Sequence, residues 1–277
     1  MVPMSLLSVN EKRCQRDGIC AIVCPAGLIE MKNEDEIPRM IENGEAYCIR
    51  CGHCVAICPH GAMSHSAMKA EQCPPLREDL LPTFDRVEHL IRARRSVRVY
   101  QKRQVPRELL ARCIEVARFA PSGHNVQPVQ WLVIYNREQI DFFAAQVIEW
   151  MEHLIREKSP LAERMHLDRV VETWNAGEDR IFRYAPHVIA AHAPKEEDTA
   201  PTACAIALAY LELAAFSLNI GACWAGYFNA AINQWPPLLD ALALPEGHTT
   251  FGAMMIGFSR YSYHRLPLRN DARILWR

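Results

Sequence analysis

The sequence lacks several features that would place it in common classes of protein. No G-x-G-x-x-G motif follows an apolar strand-like segment, so no Rossmann nicotinamide-binding domain is predicted. Lysine and arginine (31 residues) nearly balance aspartate and glutamate (32), which gives no reason to expect nucleic acid as a partner. Residues 1–10 are too short and too mixed in composition to form a secretory signal segment. The most apolar stretch, residues 203–220, is interrupted by Glu212 and Asn219. We therefore expect a cytoplasmic protein that neither spans a membrane nor binds nucleic acid.

Cysteine, by contrast, is concentrated near the N-terminus, where seven of the eleven cysteines precede residue 60. Residues 48–59 read CIRCGHCVAICP, the C-x2-C-x2-C-x3-C-P spacing that binds a cubane iron-sulfur cluster. Residues 14–25 read CQRDGICAIVCP and repeat this spacing, with Asp17 where the second cysteine would stand. The two motifs predict an electron carrier with two clusters.

In two-cluster ferredoxins the fourth cysteine of each motif ligates the other cluster, which predicts two crossed ligand sets. One set comprises Cys24, Cys48, Cys51 and Cys54, and the other comprises Cys14, Cys20 and Cys58 with Asp17 as a fourth ligand. A carboxylate is a harder ligand than a thiolate, so the corner at Asp17 would hold iron weakly or lack it, which would give a 3Fe-4S form. Zinc sites and disulfides are the alternative uses of such cysteines. Zinc has no need of a Cys-Pro end that occurs twice, and disulfides are not expected in a chain without a predicted secretory segment.

A chain of 277 residues exceeds what one small core needs. We predict a ferredoxin-like domain over residues 1–65, a linker over 66–85 and a second domain over 86–277. In the second domain the apolar spacing predicts helices from residue 106 and over 140–155, 161–174 and 202–220, and strands over 129–135, 187–192 and 249–258. Gly221 is expected to end the last helix in a left-handed conformation. The pattern is α+β.

Two polar clusters flank the first of these helices. Residues 94–98 read RRSVR, and in an extended segment Arg94, Ser96 and Arg98 share one face that suits a phosphate monoester, although a solvated surface is the alternative. Residues 120–128 read APSGHNVQP. With Ala-Pro before a strand, an apolar helix ending in IGACW and a closing Gly-Phe followed by basic residues, these motifs resemble the FMN-dependent nitroreductase superfamily over residues 85–277. With its cysteine motifs, the whole chain resembles the ferredoxin-nitroreductase fusion branch.

The resemblance implies an FMN-binding fold in which helices flank a central sheet, assembled as a homodimer with the flavin at the interface, and preceded by the small ferredoxin-like domain. The residues that it implies for FMN binding are Arg94, Ser96, Arg98, Pro121, Ser122, Asn125, Ala225, Gly226 and Arg269, with Arg265 as the alternative to Arg269. His124 and Tyr227 are candidates for a proton donor beside the flavin.

The resemblance also implies an FMN-dependent oxidoreductase that passes electrons from two iron-sulfur clusters to FMN and on to a small-molecule acceptor. That acceptor would be nitroaromatic, quinone-like or otherwise conjugated and electrophilic, and a ferredoxin-like protein or NAD(P)H would be the external donor. Reductive dehalogenation or ene-reduction on the same flavin is one alternative. A non-catalytic electron-transfer or redox-sensing role is another.

Overall fold

The computed structural model describes residues 5–33 and 35–277, which fold as two compact units. The first unit comprises the described residues up to Leu81 together with His124–Val126. The second comprises Pro82–Gly123 and Gln127–Arg277.

The first unit is built from short elements around a small core. Its strands are β1 (Leu7–Val9), β2 (Ile29–Glu30), β3 (Arg39–Met40) and β4 (Met63–His65), and its helices are α1 (Ile19–Ile22) and α2 (His53–Ile57). β1 pairs antiparallel with β4, and β2 pairs antiparallel with β3. The buried core residues are Leu7, Cys20, Ile29, Val55 and Met63. So few buried side chains contribute little hydrophobic stabilisation, and domains of this kind depend on disulfides or bound metal.

The sequence repeat of the first unit is also a repeat of backbone conformation. Three pairs of residues, each pair 34 positions apart like Cys14 and Cys48, have positive φ angles. The pairs are Arg16 (57°) and Arg50 (53°), Gly18 (71°) and Gly52 (75°), and Gly27 (63°) and Gly61 (57°). The two cysteine motifs therefore turn the chain in the same way.

The second unit is centred on a four-stranded antiparallel sheet in the order β5-β6-β8-β7. The strands are β5 (Gln130–Ile134), β6 (His187–Pro194), β7 (Ile220–Trp224) and β8 (His248–Phe258). The helices are α3 (Phe84–Ala93), α4 (Arg107–Ala117), α5 (Arg137–Arg156), α6 (Pro160–Arg164), α7 (Leu167–Asn175), α8 (Ala200–Ser217), α9 (Gly226–Ile232) and α10 (Pro236–Ala241).

Both faces of this sheet are apolar and covered by helices. Successive residues of a strand point to opposite faces, and in β6 Ile189 packs with α4 and α8 whereas Val188 packs with α5, α7 and α9. Cys223 of β7 faces the α5 side, and its neighbour Ala222 faces the α8 side. The expected fold class, a mixed helix and sheet fold with the central sheet between helices, is confirmed.

The helix predicted over residues 161–174 is wrong, because the chain forms two helices there. α6 ends at Arg164, and His166 adopts a left-handed conformation (φ 50°) before α7 begins. The apolar residues Met165 and Leu167 are two positions apart, so the helical spacing is interrupted at this point.

The end of the long apolar helix also differs from the prediction. α8 ends at Ser217, and Asn219, not Gly221, has the left-handed conformation (φ 58°). Asparagine tolerates this region because its side chain forms local hydrogen bonds. Gly221 lies within β7, where a Cβ atom would stand only 2.5 Å from Cγ2 of Val97. The glycine is therefore needed for close approach of residue 97 to the strand.

Among the described residues, α8 alone is long and apolar enough to cross a bilayer by length and composition. Its buried residues, including Cys204, Leu208 and Leu211, pack in the core on one face of the sheet. This is the packing of a central core helix.

Candidate functional site

One cavity of the first unit is lined by four cysteines that come from both motifs. These are Cys24 from the end of the first motif and Cys48, Cys51 and Cys54 from the second. The backbone N–H of Leu28 donates a hydrogen bond to Sγ of Cys24 at 3.3 Å. Thiols that converge on one cavity and receive N–H donors at sulfur suit an iron-sulfur cluster.

A second cavity is lined by Cys14, Asp17, Cys20 and Cys58. Here the backbone N–H of Ala62 donates to Sγ of Cys58, also at 3.3 Å. This bond is the counterpart, 34 residues later, of the bond from Leu28 to Cys24. Oδ1 of Asp17 accepts the backbone N–H of Ile19 at 3.3 Å. The aspartate thus lies at the corner that Cys51 occupies in the first cavity.

Burial affects the protonation of two thiols in these cavities. Burial raises the pKa of the Cys20 thiol to about 11 and raises the pKa of the Cys54 thiol as well. Both are therefore neutral at pH 7 on their own, and binding iron would release their protons.

A single metal ion and a cluster require different spacings of their ligands. Within residues 5–33 and 35–277, no three His, Cys, Asp or Glu side chains are placed to hold one metal ion. Tetrahedral zinc, with Zn–S bonds of about 2.3 Å, would need its thiolates about 3.8 Å apart. A cubane holds its thiolates farther apart because each binds a different iron atom.

In the second unit, the RRSVR segment lies beside strand β7. Ser96 forms a parallel bridge with Ala222, and the N–H of Val97 donates to the carbonyl oxygen of Ala222 at 3.0 Å. A guanidinium N–H of Arg98 donates to the Ser96 carbonyl oxygen at 3.4 Å. The backbone thus holds Ser96 and Val97 next to β7, with Arg98 directly after them.

Arg94 forms an ion pair that the sequence analysis did not predict. Its Nη1 donates to Oε1 of Glu212 at 2.7 Å, and the two side chains are 23% and 12% exposed. Burial raises the pKa of Glu212, whereas the charge and hydrogen bond of Arg94 oppose that effect. A guanidinium group has five N–H donors, so the bond to Glu212 leaves donors with which Arg94 can contact a ligand.

Arg183 is a second residue that the sequence analysis missed. Burial raises the pKa of the Cys223 thiol, and the positive charges of Arg98 and Arg183 both act to lower it, so both guanidinium groups lie near β7. Arg183 has a left-handed conformation (φ 54°) in a turn held by Asp179, whose carboxylate accepts the N–H groups of Ile181, Phe182 and Tyr184 at 2.8–2.9 Å. No sequence motif identifies Arg183 as a residue near β7, because the position of its charge depends on the backbone conformation of this turn.

The chain after β7 offers one backbone position that faces open space. The N–H of Ala225 donates to the carbonyl oxygen of Ala253 at 3.0 Å and is therefore already used. Gly226 is exposed at the first position of α9, and a Cβ atom added there would meet no atom within 4 Å. Of the two residues predicted to face a flavin, Gly226 is the one with room for it.

The loop after α4 makes contacts of its own at both ends. Oγ of Ser122 accepts the N–H of Gln127 at 2.9 Å, and a Cβ on Gly123 would lie 2.6 Å from Thr199, next to the start of α8. Pro121 is exposed. Asn125 belongs to the first unit, where its side-chain amide donates to the carbonyl oxygens of Ile49 and Arg50 at 3.1 Å.

The remaining predicted residues are on the surface or in packing positions. Arg269 is exposed in the irregular segment after β8, whereas Arg265 lines a cavity of about 740 Å³ together with Arg95. His124 is exposed and belongs to the first unit, and Tyr227 packs against the core beside α5.

Comparison with protein families matches both units. The model of the nitroreductase family matches residues 91–258, which is more than half of the chain. The model of the 4Fe-4S dicluster domain matches residues 12–63. The matched ranges contain all eight predicted cluster ligands and every predicted flavin residue except Arg269.

Individual proteins show the same likeness. A protein of Methanothermobacter thermautotrophicus, named as a candidate NADH dehydrogenase or NAD(P)H nitroreductase, is 26% identical over 172 residues, which cover 61% of this chain and 74% of the relative. A nitroreductase from Bacteroides fragilis, solved with bound FMN, has 23% identity and a TM-score of 0.56 over 69% of this chain and 98% of its own. An iodotyrosine deiodinase bound to FMN and 3-iodo-L-tyrosine has 20% identity and a TM-score of 0.51 over 69% of this chain and 98% of its own. The two structures share the fold.

Proposed function

Because the chain belongs to the nitroreductase family and carries an N-terminal 4Fe-4S dicluster domain, we propose that it passes electrons from two clusters to FMN and on to a nitroaromatic, quinone-like or other conjugated electrophile. The family assignment makes it an FMN-dependent oxidoreductase, as the sequence analysis expected. The observation that carries the proposal is the arrangement of two four-residue sets around two cavities, in a chain whose other unit matches the nitroreductase family.

In this proposal the cluster ligands are the residues that line the two cavities. Cys24, Cys48, Cys51 and Cys54 hold a 4Fe-4S cluster. Cys14, Cys20 and Cys58 hold the other, and Asp17 supplies its fourth corner as a labile ligand whose iron is lost to give a 3Fe-4S form. Clusters supply single electrons at potentials that the protein environment adjusts.

FMN, when bound, supplies two-electron chemistry at its ring. Arg94, Ser96 and Arg98 hold its anionic and ribityl groups, and the open face of Gly226 accommodates the ring. Arg269 or Arg265 adds a second phosphate contact. Arg183 adds positive charge near Cys223, which would stabilise a reduced, electron-rich ring.

The loop with Pro121, Ser122 and Asn125 serves the flavin of a second copy of the chain. Gly123 lies against Thr199 at the start of α8, whereas Arg94 pairs with Glu212 thirteen residues later. At about 1.5 Å per helical residue these points are roughly 20 Å apart. The exposed side of α8, which includes Ala205, Ala209 and Tyr210, offers an apolar surface for such a homodimer.

The test is an anaerobic analysis of the purified full chain. Seven or eight iron atoms and one FMN per chain are expected, since two clusters hold at most eight irons. The reduced protein, mixed with a nitroaromatic compound or a quinone in a stopped-flow instrument, should reoxidise its flavin rapidly. Reoxidation only by a partner protein would indicate an electron-transfer or redox-sensing role instead.

Two further measurements separate the remaining possibilities. A Cys51→Ser variant should lose reduction by a ferredoxin-like donor but keep any reduction by NAD(P)H, which identifies the route of electron entry. Turnover of a halogenated aromatic or an activated alkene, with none of the nitroaromatic, would favour the dehalogenase or ene-reductase alternative. The likeness to the deiodinase, at 20% identity, gives that alternative no more than a shared fold.

A further inference from the structure

One buried histidine lies against a cysteine that we assign to a cluster, although it belongs to neither cysteine motif. His65 is the last residue of β4 and is only 2% exposed. Its Nε2 atom lies 3.8 Å from Sγ of Cys48, which is within the range of a hydrogen bond to sulfur. His65 also lines the cavity that contains Cys24, Cys51 and Cys54.

The hydrogen bonds of the ring determine which nitrogen carries the proton. Nδ1 of His65 accepts the backbone N–H of Ala67 at 2.9 Å, so this nitrogen carries a lone pair. A neutral imidazole has one donor and one acceptor nitrogen, and the proton must then be on Nε2. The Nε2–H group therefore points at Cys48.

The backbone holds this ring in place. His65 pairs with Leu7 of β1, and His65 and Met68 exchange two backbone hydrogen bonds of 3.0 and 2.9 Å. The turn between them presents the Ala67 N–H to the ring. The donor is thus oriented before any cluster is bound, as is typical of groups that surround a metal site.

The internal repeat provides a comparison within the same chain. Residues related by the repeat are 34 positions apart, so the counterpart of His65 is Met31. A thioether has no proton to donate. Of the two cavities, the one with Cys48 receives a side-chain N–H at this position and the one with Cys14 does not.

We infer that His65 donates an N–H···S hydrogen bond to the Cys48 thiolate and thereby raises the reduction potential of the cluster held by Cys24, Cys48, Cys51 and Cys54. The inference rests on the ligand set proposed above. Reduction by one electron adds negative charge that is spread over iron and sulfur, and a donor at sulfur stabilises that charge. His65 acts through Cys48 and does not itself bind iron.

The test is a potentiometric titration of the full chain, followed by electron paramagnetic resonance, with His65→Met as the main variant. Methionine is the residue that the repeat itself uses at the equivalent position. We expect the one-electron reduction equilibrium of one cluster to shift roughly tenfold toward the oxidised form, which is about 59 mV, with the other cluster unchanged. His65→Gln, which keeps an N–H donor, should have a reduction potential close to that of the wild-type protein. His53→Met is the matched control, because His53 lines the same cavity but is exposed.

Unchanged potentials in His65→Met at full iron and sulfide content would overturn the inference. If that variant fails to assemble the cluster, pulsed resonance on the wild-type protein with ¹⁵N-labelled histidine decides instead. A coupled histidine nitrogen is expected, and its absence would be equally decisive against the bond. A Cys48→Ser variant with both cluster signals unaltered would show that the ligand assignment, rather than the role of His65, is wrong.

Discussion

A methyl group at residue 226 would test where FMN lies without disturbing the fold. Gly226 begins α9, its backbone is not left-handed, and an added Cβ would meet no atom within 4 Å. Gly226→Ala should therefore leave the free energy of unfolding unchanged or raise it by about 0.4–1 kcal/mol, because alanine restricts the unfolded chain. If the flavin ring lies over this position, the methyl group must displace it.

The expected loss of affinity follows from the cost of overpacking. Forcing a methyl group into a filled site costs about 1–3 kcal/mol, which corresponds to an increase of about 5- to 150-fold in the Kd for FMN. Gly221→Ala is the matched contrast, because its Cβ would lie 2.5 Å from Cγ2 of Val97. That variant should lose about 1–3 kcal/mol of stability before any flavin is added.

Two titrations of the flavin-depleted full chain separate these effects. Urea unfolding followed by tryptophan fluorescence reports on the second unit only, because all six tryptophans lie between residues 131 and 276. Quenching of FMN fluorescence gives the Kd. Wild-type affinity in Gly226→Ala would refute the placement of the flavin over this residue, and reduced stability in that variant would refute the open geometry.

Three further predictions concern other parts of the chain. Arg98→Ala should release FMN on dialysis while the cluster content is unchanged, and tight retention of the flavin would argue against the role of Arg98. Asp17→Cys should make the second cluster as resistant to oxygen as the first, measured as iron retained after exposure to air. Burial lowers the pKa of His187, whose Nε2 accepts the N–H of Val105 at 2.9 Å. Below pH 6.5 the unfolded state therefore binds a proton more readily than the folded state, and the free energy of unfolding falls. The urea midpoint by tryptophan fluorescence should therefore fall between pH 7.5 and 5.5, and an equal fall in His187→Gln would contradict this.

The cluster ligands could be predicted from sequence because the cysteines that bind one cluster have a characteristic spacing along the chain. Thiolates that share a cluster must follow one another closely along the chain, so the motif is visible without any knowledge of the fold. The apolar spacing likewise predicted β5, β6, β8 and α5, because these elements bury regular faces. The nitroreductase resemblance was confirmed by the match over residues 91–258.

Residues whose role depends on distant parts of the chain could not be found in this way. In the sequence Glu212 is only an interruption of an apolar helix, but in the fold it pairs with Arg94, 118 residues earlier. The helix prediction extended to Ile220, the first residue of β7, because the apolar pattern of α8 continues into the strand. The pairing of β7 with β8 and Ser96 decides its conformation. His65 lies outside both motifs, and only the folding of β4 against β1 brings it to Cys48.

The two cavities of the first unit repeat the same positive-φ backbone positions but are lined by different side chains, including an exposed histidine in each, His53 and His60. Two of the differences bear directly on the cluster potentials. Asp17 replaces the counterpart of Cys51, and Met31 replaces the counterpart of His65. While Asp17 holds the fourth iron, its hard carboxylate favours ferric over ferrous iron and so lowers the potential of that four-iron cluster, and the absence of a side-chain N–H at Met31 acts in the same direction. Because both differences have the same sign, we expect the cluster near Asp17 to have the lower potential and electrons to pass from it to the cluster near His65. Two coincident midpoint potentials in the wild-type titration would contradict this reasoning, and Asp17→Cys should bring the two midpoints closer together.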